Sequence, residues 1–319
     1  MVVHRASGAI EHRVFRDLPA YLRPADCLVL NATRVLPARF NLRRASGGRV
    51  GGLFLCETAV GRWRVLLAGA GRVRIGETLA ADGGDARLTL LARGERGECE
   101  VAVEPAEPAE AVLGRIGRTP LPPYLAGGSG ADRDDRQDRA DYQTVYARES
   151  GSVAAPTAGL HFTPELLARI DALGVARAEA VLHVGAGTFA PIEAEDLAGH
   201  VMHAERYELT AEMATRVNTR RAAGGRVIAV GTTSARTLES CAGDDGAVAA
   251  GDGWTRLYIT PPHRFKTVDA LVTNFHLPRS SLLALVMALG GVELIRQAYA
   301  IAVKEEYRFY SFGDAMLIV

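Results

Sequence analysis

Apolar residues along this chain recur in two rhythms, and the change between them marks its organisation. Between residues 40 and 103 they alternate with polar ones, as in RWRV at 62–65, which predicts short strands at 50–56, 62–67, 88–91 and 98–103. Glycine-rich turns at 47–48, 69–71 and 83–84 separate them, so the stretch reads as a small antiparallel β-barrel ended by Pro105 and Pro108. From residue 141 onward, apolar runs suited to buried strands (175–184, 226–231, 256–260, 270–275, 315–319) alternate with helical segments (164–173, 210–223, 235–242, 291–305). Residues 27–31, CLVLN, read as one more buried strand. Strand–helix alternation predicts an α/β fold: a larger domain with a mainly parallel sheet, built from 1–38 and 119–319, and the small antiparallel barrel inserted at 39–118. Between them a short helix, a proline-fixed extended segment at 119–125 and a flexible, solvated loop at 127–139 are expected.

Composition narrows the class. Of 319 residues, 48% are hydrophobic and 23% charged, as in a globular protein rather than a disordered one. The longest apolar run, 282–292, has about half the roughly 20 residues of a membrane span, and the first residues carry no signal-peptide core. A cytoplasmic protein is expected, and four scattered cysteines fit free thiols. Net charge is zero, so a polyanion would have to be met locally. From 31 to 74 there are nine arginines (34, 39, 43, 44, 49, 62, 64, 72, 74) against one acid, Glu57. Solvated strand faces are one reading; an anionic partner is the other.

Candidate chemistry gathers at strand-to-helix turns. In VAAPTAGLHFT, 153–163, small residues, hydroxyls and His161 precede a helix capped by Thr163 with Pro164 at its first position. GTTSAR at 231–236 and TNFHLPRSS at 273–281 have the same character. Ligands in open α/β sheets gather at the carboxyl ends of strands, where helix starts offer N–H groups. If the three turns converge, His161, His276, Thr232, Thr233, Arg236, Asn274 and Arg279 would share a cleft able to bind an anion and move a proton. Ordinary caps and structural imidazoles account for each residue taken singly. The pair Gly185 and Gly187 lacks a third glycine and supports no dinucleotide fingerprint. His200 and His203 lack a third ligand, so no metal is expected.

At this point longer segments become informative: NATRVLPAR, PLPPYL, YQTVYA, GSVAAPTAGLHFT, LHVGAGTFAP, MHAERYEL, RVIAVGTTSARTLES, ITPPHRFKTVDALVTNFHLPRSSLLALV and YRFYSFGDAMLI. In this order they resemble the S-adenosylmethionine:tRNA ribosyltransferase-isomerase family of the queuosine pathway. The resemblance implies a cytoplasmic, monomeric enzyme with an α/β domain and an inserted barrel. It would transfer and isomerise the ribosyl part of S-adenosylmethionine onto 7-aminomethyl-7-deazaguanine (preQ1) at a tRNA wobble position. The product would be epoxyqueuosine, with adenine and methionine released; the sulfonium compound is consumed and no cofactor is implied. Ribosyl transfer to a free 7-deazapurine, and a non-catalytic tRNA-binding relative, are the alternatives.

The implied chemistry needs a base for a C5′ proton made acidic by the sulfonium and a proton donor for departing adenine. His161 and His276 are the candidates, with His183 a third. Thr157, Gly159, Gly231, Thr232, Thr233, Arg236 and Asn274 are candidates for binding the small substrate. Arg34, Arg39, Arg264, Phe265 and Lys266 are candidates for the anticodon loop. The chain departs from the family pattern at Ala32, where NDTRV becomes NATRV, at Ala204 and Arg206, and at Thr260 and His263. Family members typically begin further upstream of the point matching Met1.

Overall fold

The strand Cys27–Asn31 lies inside a nine-stranded sheet because it is apolar on both sides, as CLVL dictates. The structure, a computed structural model, describes residues 1–122, 134–185, 192, 197 and 199–319. Gly187, the end of the 119–125 segment and most of the 127–139 loop lie outside the described residues. Two compact units are present: 1–33 with 144–149 and 156–319, and 34–143 with 150–155. The second is wider than the 39–118 insertion expected.

In the first unit the strand order is Gly251–Thr255, Glu205–Leu209, Ala176–Leu182, Cys27–Asn31, Val227–Val230, Ala270–Asn274, Ala315–Ile318, Val2–Val3 and Ile10–Glu11. Alternate residues feed two cores. Val29, Ala229 and Leu271 face the helices Ala211–Ala222, Gly231–Cys241, Ser281–Gly290 and Val292–Lys304. Leu28, Leu30, Ile228 and Val272 face the helix Pro164–Ala172 and the 3-10 turns Phe15–Tyr21 and Thr157–His161.

The sheet is mixed rather than mainly parallel. Four neighbouring strands, Ala176–Leu182 to Ala270–Asn274, run parallel. Antiparallel partners flank them on both sides: Glu205–Leu209 on one and Ala315–Ile318 on the other. The strand expected at 256–260 lies instead at Gly251–Thr255, a glycine-rich edge strand without a hydrophobic run. The helix expected from 235 begins at Gly231, whose φ of +85° turns the chain directly out of the preceding strand. The 282–292 run is broken at Gly291 (φ +83°) into two helices bent by 116°. Among the described residues no single helix is long and apolar enough to cross a membrane.

The second unit holds a closed antiparallel barrel of six strands: Glu98–Glu104, Arg62–Leu67, Arg49–Ala59, Arg39–Arg43, Thr78–Ala81 and Arg87–Arg93. RWRV puts Trp63 fully inside, edge-on to Phe54 at 5.2 Å, and leaves its arginines outside. Later strands return the missing acids. Arg44 grips Glu77 through Nε and Nη2 at 2.6 and 2.9 Å, Arg43 pairs with Asp82 at 3.3 Å, and Arg64 pairs with Glu98. The basic excess of residues 31–74 is therefore partly neutralised across the barrel. Asp135–Asp141 forms a helix rather than a loop, with Asp134 accepting from the Arg136 amide at 2.9 Å.

Candidate active site

Four parallel strands place their carboxyl ends side by side, and the polar residues of the sequence sit there. Asn31, at the end of its strand and 1% exposed, is the hub. Its Nδ2 donates to the Leu182 carbonyl at 3.0 Å and to Thr233 Oγ1 at 3.1 Å. Its Oδ1 accepts from the Leu182 and Thr33 amides at 3.1 and 3.2 Å. Thr33 Oγ1 in turn lies 2.9 Å from His183 Nδ1. Burial pushes the His183 imidazole below its ordinary range, Arg206 adds to this and Glu149 opposes it. Asn31 was not singled out from sequence, since it reads as the end of an apolar run; Ala32 beside it is buried, with its amide and carbonyl both bonded.

A second set surrounds His161. Thr157 Oγ1 donates to Asn274 Oδ1 at 2.8 Å, which leaves the Asn274 Nδ2 donor facing His161 Nε2 at 3.3 Å. A neutral imidazole so placed carries its lone pair on Nε2. The ring stacks on Phe15 at 4.9 Å and borders a cavity of about 300 Å³ that Tyr21, Val272, Arg308 and Asp314 also line. Burial holds His161 below its ordinary value; Asp314 opposes this and Arg308 reinforces it. Gly159 is obligatory here, because a Cβ would run into Tyr146 Oη and Thr144 Cγ2.

His276 belongs elsewhere. Its Nε2 lies 2.7 Å from Thr273 Oγ1 and its amide donates to Tyr299 Oη at 2.9 Å. Thr273 and Asn274 are successive strand residues, so their side chains leave on opposite faces of the sheet, and His161 and His276 follow them. Burial pushes His276 down to about 4. Arg236 is buried and committed: it pairs with Glu205 and donates from Nε to the Leu257 carbonyl at 3.1 Å. Its Nη2 has no partner among the described residues. Thr232 is buried, and Thr233 is taken up by Asn31.

The candidates for RNA divide between the units. Arg34, exposed, and Arg39, half-buried and donating from Nη2 to the Leu121 carbonyl at 2.9 Å, lie in the second. Arg264 is exposed in the first unit; Phe265 packs edge-on to His263 at 5.0 Å; Lys266 Nζ is paired with Asp244 at 2.8 Å. Among the described residues no group of three histidines, cysteines or acids is arranged to hold a metal.

Known proteins of the same pattern cover this chain nearly end to end. A protein of Symbiobacterium thermophilum named S-adenosylmethionine:tRNA ribosyltransferase-isomerase is 51% identical over 320 residues, 100% of this chain and 92% of its own length. One of the same name from Anaeromyxobacter dehalogenans is 52% identical over 323 residues, covering 100% and 91%. The crystal structure of an S-adenosylmethionine tRNA ribosyltransferase from Thermotoga maritima, 37% identical, superposes with a TM-score of 0.53 over 100% of this chain and 91% of that one. The model of a family described as "Queuosine biosynthesis protein" matches residues 1–318. With its polar strand ends and its sequence agreeing over that length, the chain belongs to the queuosine biosynthesis protein family.

Proposed function

We propose that this chain is an S-adenosylmethionine:tRNA ribosyltransferase-isomerase. It transfers the ribosyl moiety of S-adenosylmethionine to preQ1 at the tRNA wobble position and isomerises it to the epoxycyclopentanediol of epoxyqueuosine. The reading is carried by full-length relatives of that name at about half identity. S-adenosylmethionine is consumed and tRNA is the acceptor. The enzyme acts in the cytoplasm as a monomer, with its chemistry in the sheet-bearing unit.

Within that unit His161 is the base. Its Nε2 accepts from Asn274, which Thr157 orients, so the substrate has to displace that donor to reach the lone pair, and its lowered basicity keeps it unprotonated near pH 7. The proton it takes comes from C5′, acidified by the neighbouring sulfonium; the carbanion-like carbon then reorganises the ribose as adenine and later methionine leave. His183, hydrogen-bonded to Thr33 and also held below its ordinary basicity, is the candidate to relay a proton to departing adenine rather than to hold one beforehand. His276, tied to Thr273 and Tyr299, supports the strand end rather than the reacting atoms. Arg236 positions the Glu205 strand, and the half-buried Thr157 hydroxyl and the turn at 231–233 are the groups assigned to the substrate's carboxylate and hydroxyls.

The test is adenine release from S-adenosylmethionine on incubation with the protein and preQ1-bearing tRNA. Release that requires the modified tRNA supports the reading. Release with the free base moves the activity to a free 7-deazapurine, and tRNA binding without any release makes the chain a non-catalytic relative.

A further inference from the structure

Arg39 and Arg118 in the second unit are directly opposed. The Arg39 amide donates to the Arg118 carbonyl at 3.1 Å and the Arg118 amide to the Arg39 carbonyl at 2.6 Å, an antiparallel bridge outside the barrel ladder. Directly opposite residues project from the same face, and like charges so placed are destabilising. Arg43, Arg44 and Arg64 of this unit are answered by acids, whereas Arg39 and Arg118 have no acid partner among the described residues. Both residues line a cavity of about 640 Å³ shared with Asn41, Asp82, Arg115 and Asp135.

The two carboxylates are already engaged. Asp82 takes Arg43 at 3.3 Å, and Asp135 accepts the Thr119 amide at 2.7 Å and Arg139 Nε at 2.5 Å. Arg115 is likewise paired, with Glu107 at 2.8 Å. Arg39 gives one Nη2 hydrogen to the Leu121 carbonyl and keeps the rest of its fork; Arg118 is exposed, with no side-chain bond among the described residues. Two arginines at a polar cavity whose carboxylates, Asp82 and Asp135, are already engaged fit one kind of ligand, a tetrahedral oxyanion gripped from two sides.

We propose that Arg39 and Arg118 form a pincer for a backbone phosphate of the RNA substrate. This rests on the tRNA reading above. The bound phosphate relieves the repulsion between the forks, so the pair acts as a unit. Asn41 supplies a neutral donor beside it.

The experiment is equilibrium binding of preQ1-bearing tRNA to the full chain across a salt series, for the wild type, Arg118→Gln, Arg39→Gln and the double variant. Each single variant should bind about tenfold more weakly, the loss of one charged hydrogen-bonding partner. The slope of log affinity against log salt should become shallower by about 1. The double variant should lose less than the sum of the two. Arg118→Lys, which keeps the charge without the fork, should recover the salt slope but only part of the affinity. Unchanged affinity and slope in Arg118→Gln overturns the proposal. So does inorganic phosphate that binds in an Arg118-dependent way without competing with tRNA. Adenine release by the wild type is scored separately, so loss of the pincer and loss of the catalytic reading are read from different measurements.

Discussion

Asn31 Nδ2 donates to Thr233 Oγ1 at 3.1 Å, joining residues 202 positions apart, a strand end and the first turn of the helix that follows the neighbouring parallel strand. The same side chain holds both backbone groups of Leu182, so one amide ties two strand ends to the first turn of a helix. The strand ends that carry His183 and the 231–233 turn therefore share a single fastening.

Asn31→Ala should accordingly destabilise the protein by about 2–4 kcal/mol, because it strands several buried polar groups at once. Urea unfolding measures this. A change below about 0.5 kcal/mol would mean that water or a neighbour takes over the bonds, and the fastening would be incidental.

His161→Ala should abolish adenine release while leaving tRNA affinity near that of the wild type. Asn274→Ala should lower kcat by about 10²-fold, the scale of a positioned base that has lost its orientation. The pH profile separates a base from a structural ring. Burial holds His161 below its ordinary 6.5, so the reactive, unprotonated form is already dominant at pH 7. Activity should stay level there and fall only on the acid side of 6.5. An acid limb at or above pH 7 would assign the step to another group.

The local features of this fold were legible because their physics is local. Thr163 and Thr210 were readable as helix caps, and each accepts the amide three residues on, from Leu166 at 3.2 Å and Met213 at 3.3 Å. Strand direction was not: the closing strand Ala315–Ile318 is as apolar as a parallel one, and only its pairing with Ala270–Asn274 makes it antiparallel. Nor was charge balance, since Arg44 and Glu77 are 33 residues apart and meet only through barrel closure. The candidate site divides in the same way. His161 and Asn274 stood out as polar groups in small-residue turns. Strand alternation, applied to Thr273 and Asn274, could have separated His276 from them before any coordinates. Asn31 carried no such signal, because three of its four bonds are to distant segments.

His276 carries a stability prediction. Its folded value of about 4 lies below the ordinary 6.5, so between these limits the unfolded chain binds one more proton than the folded one. Stability from this group is complete above 6.5 and falls as the solution is acidified toward 4, by up to about 1.4 kcal/mol per pH unit. Denaturation series from pH 7 to 4.5 should show that slope in the wild type and a shallower one in His276→Asn. Equal slopes would place the titration elsewhere.

Arg236 and Glu205 test whether a buried cation binds substrate or builds the fold. Both are almost fully buried, and Glu205 also accepts the Gly185 amide at 3.2 Å, just before the segment after His183. Glu205→Ala leaves the guanidinium uncompensated and should cost about 3–5 kcal/mol. Arg236→Met strands the carboxylate instead, with a similar loss. Removing both, as Glu205→Leu with Arg236→Met, should cost less than either alone, because no charge is left without a partner. Unfolding of the three variants measures the cycle. A guanidinium that served mainly to grip the methionine carboxylate would give the opposite pattern: Arg236→Met would raise the KM for S-adenosylmethionine with little change in stability, and the second substitution would rescue nothing.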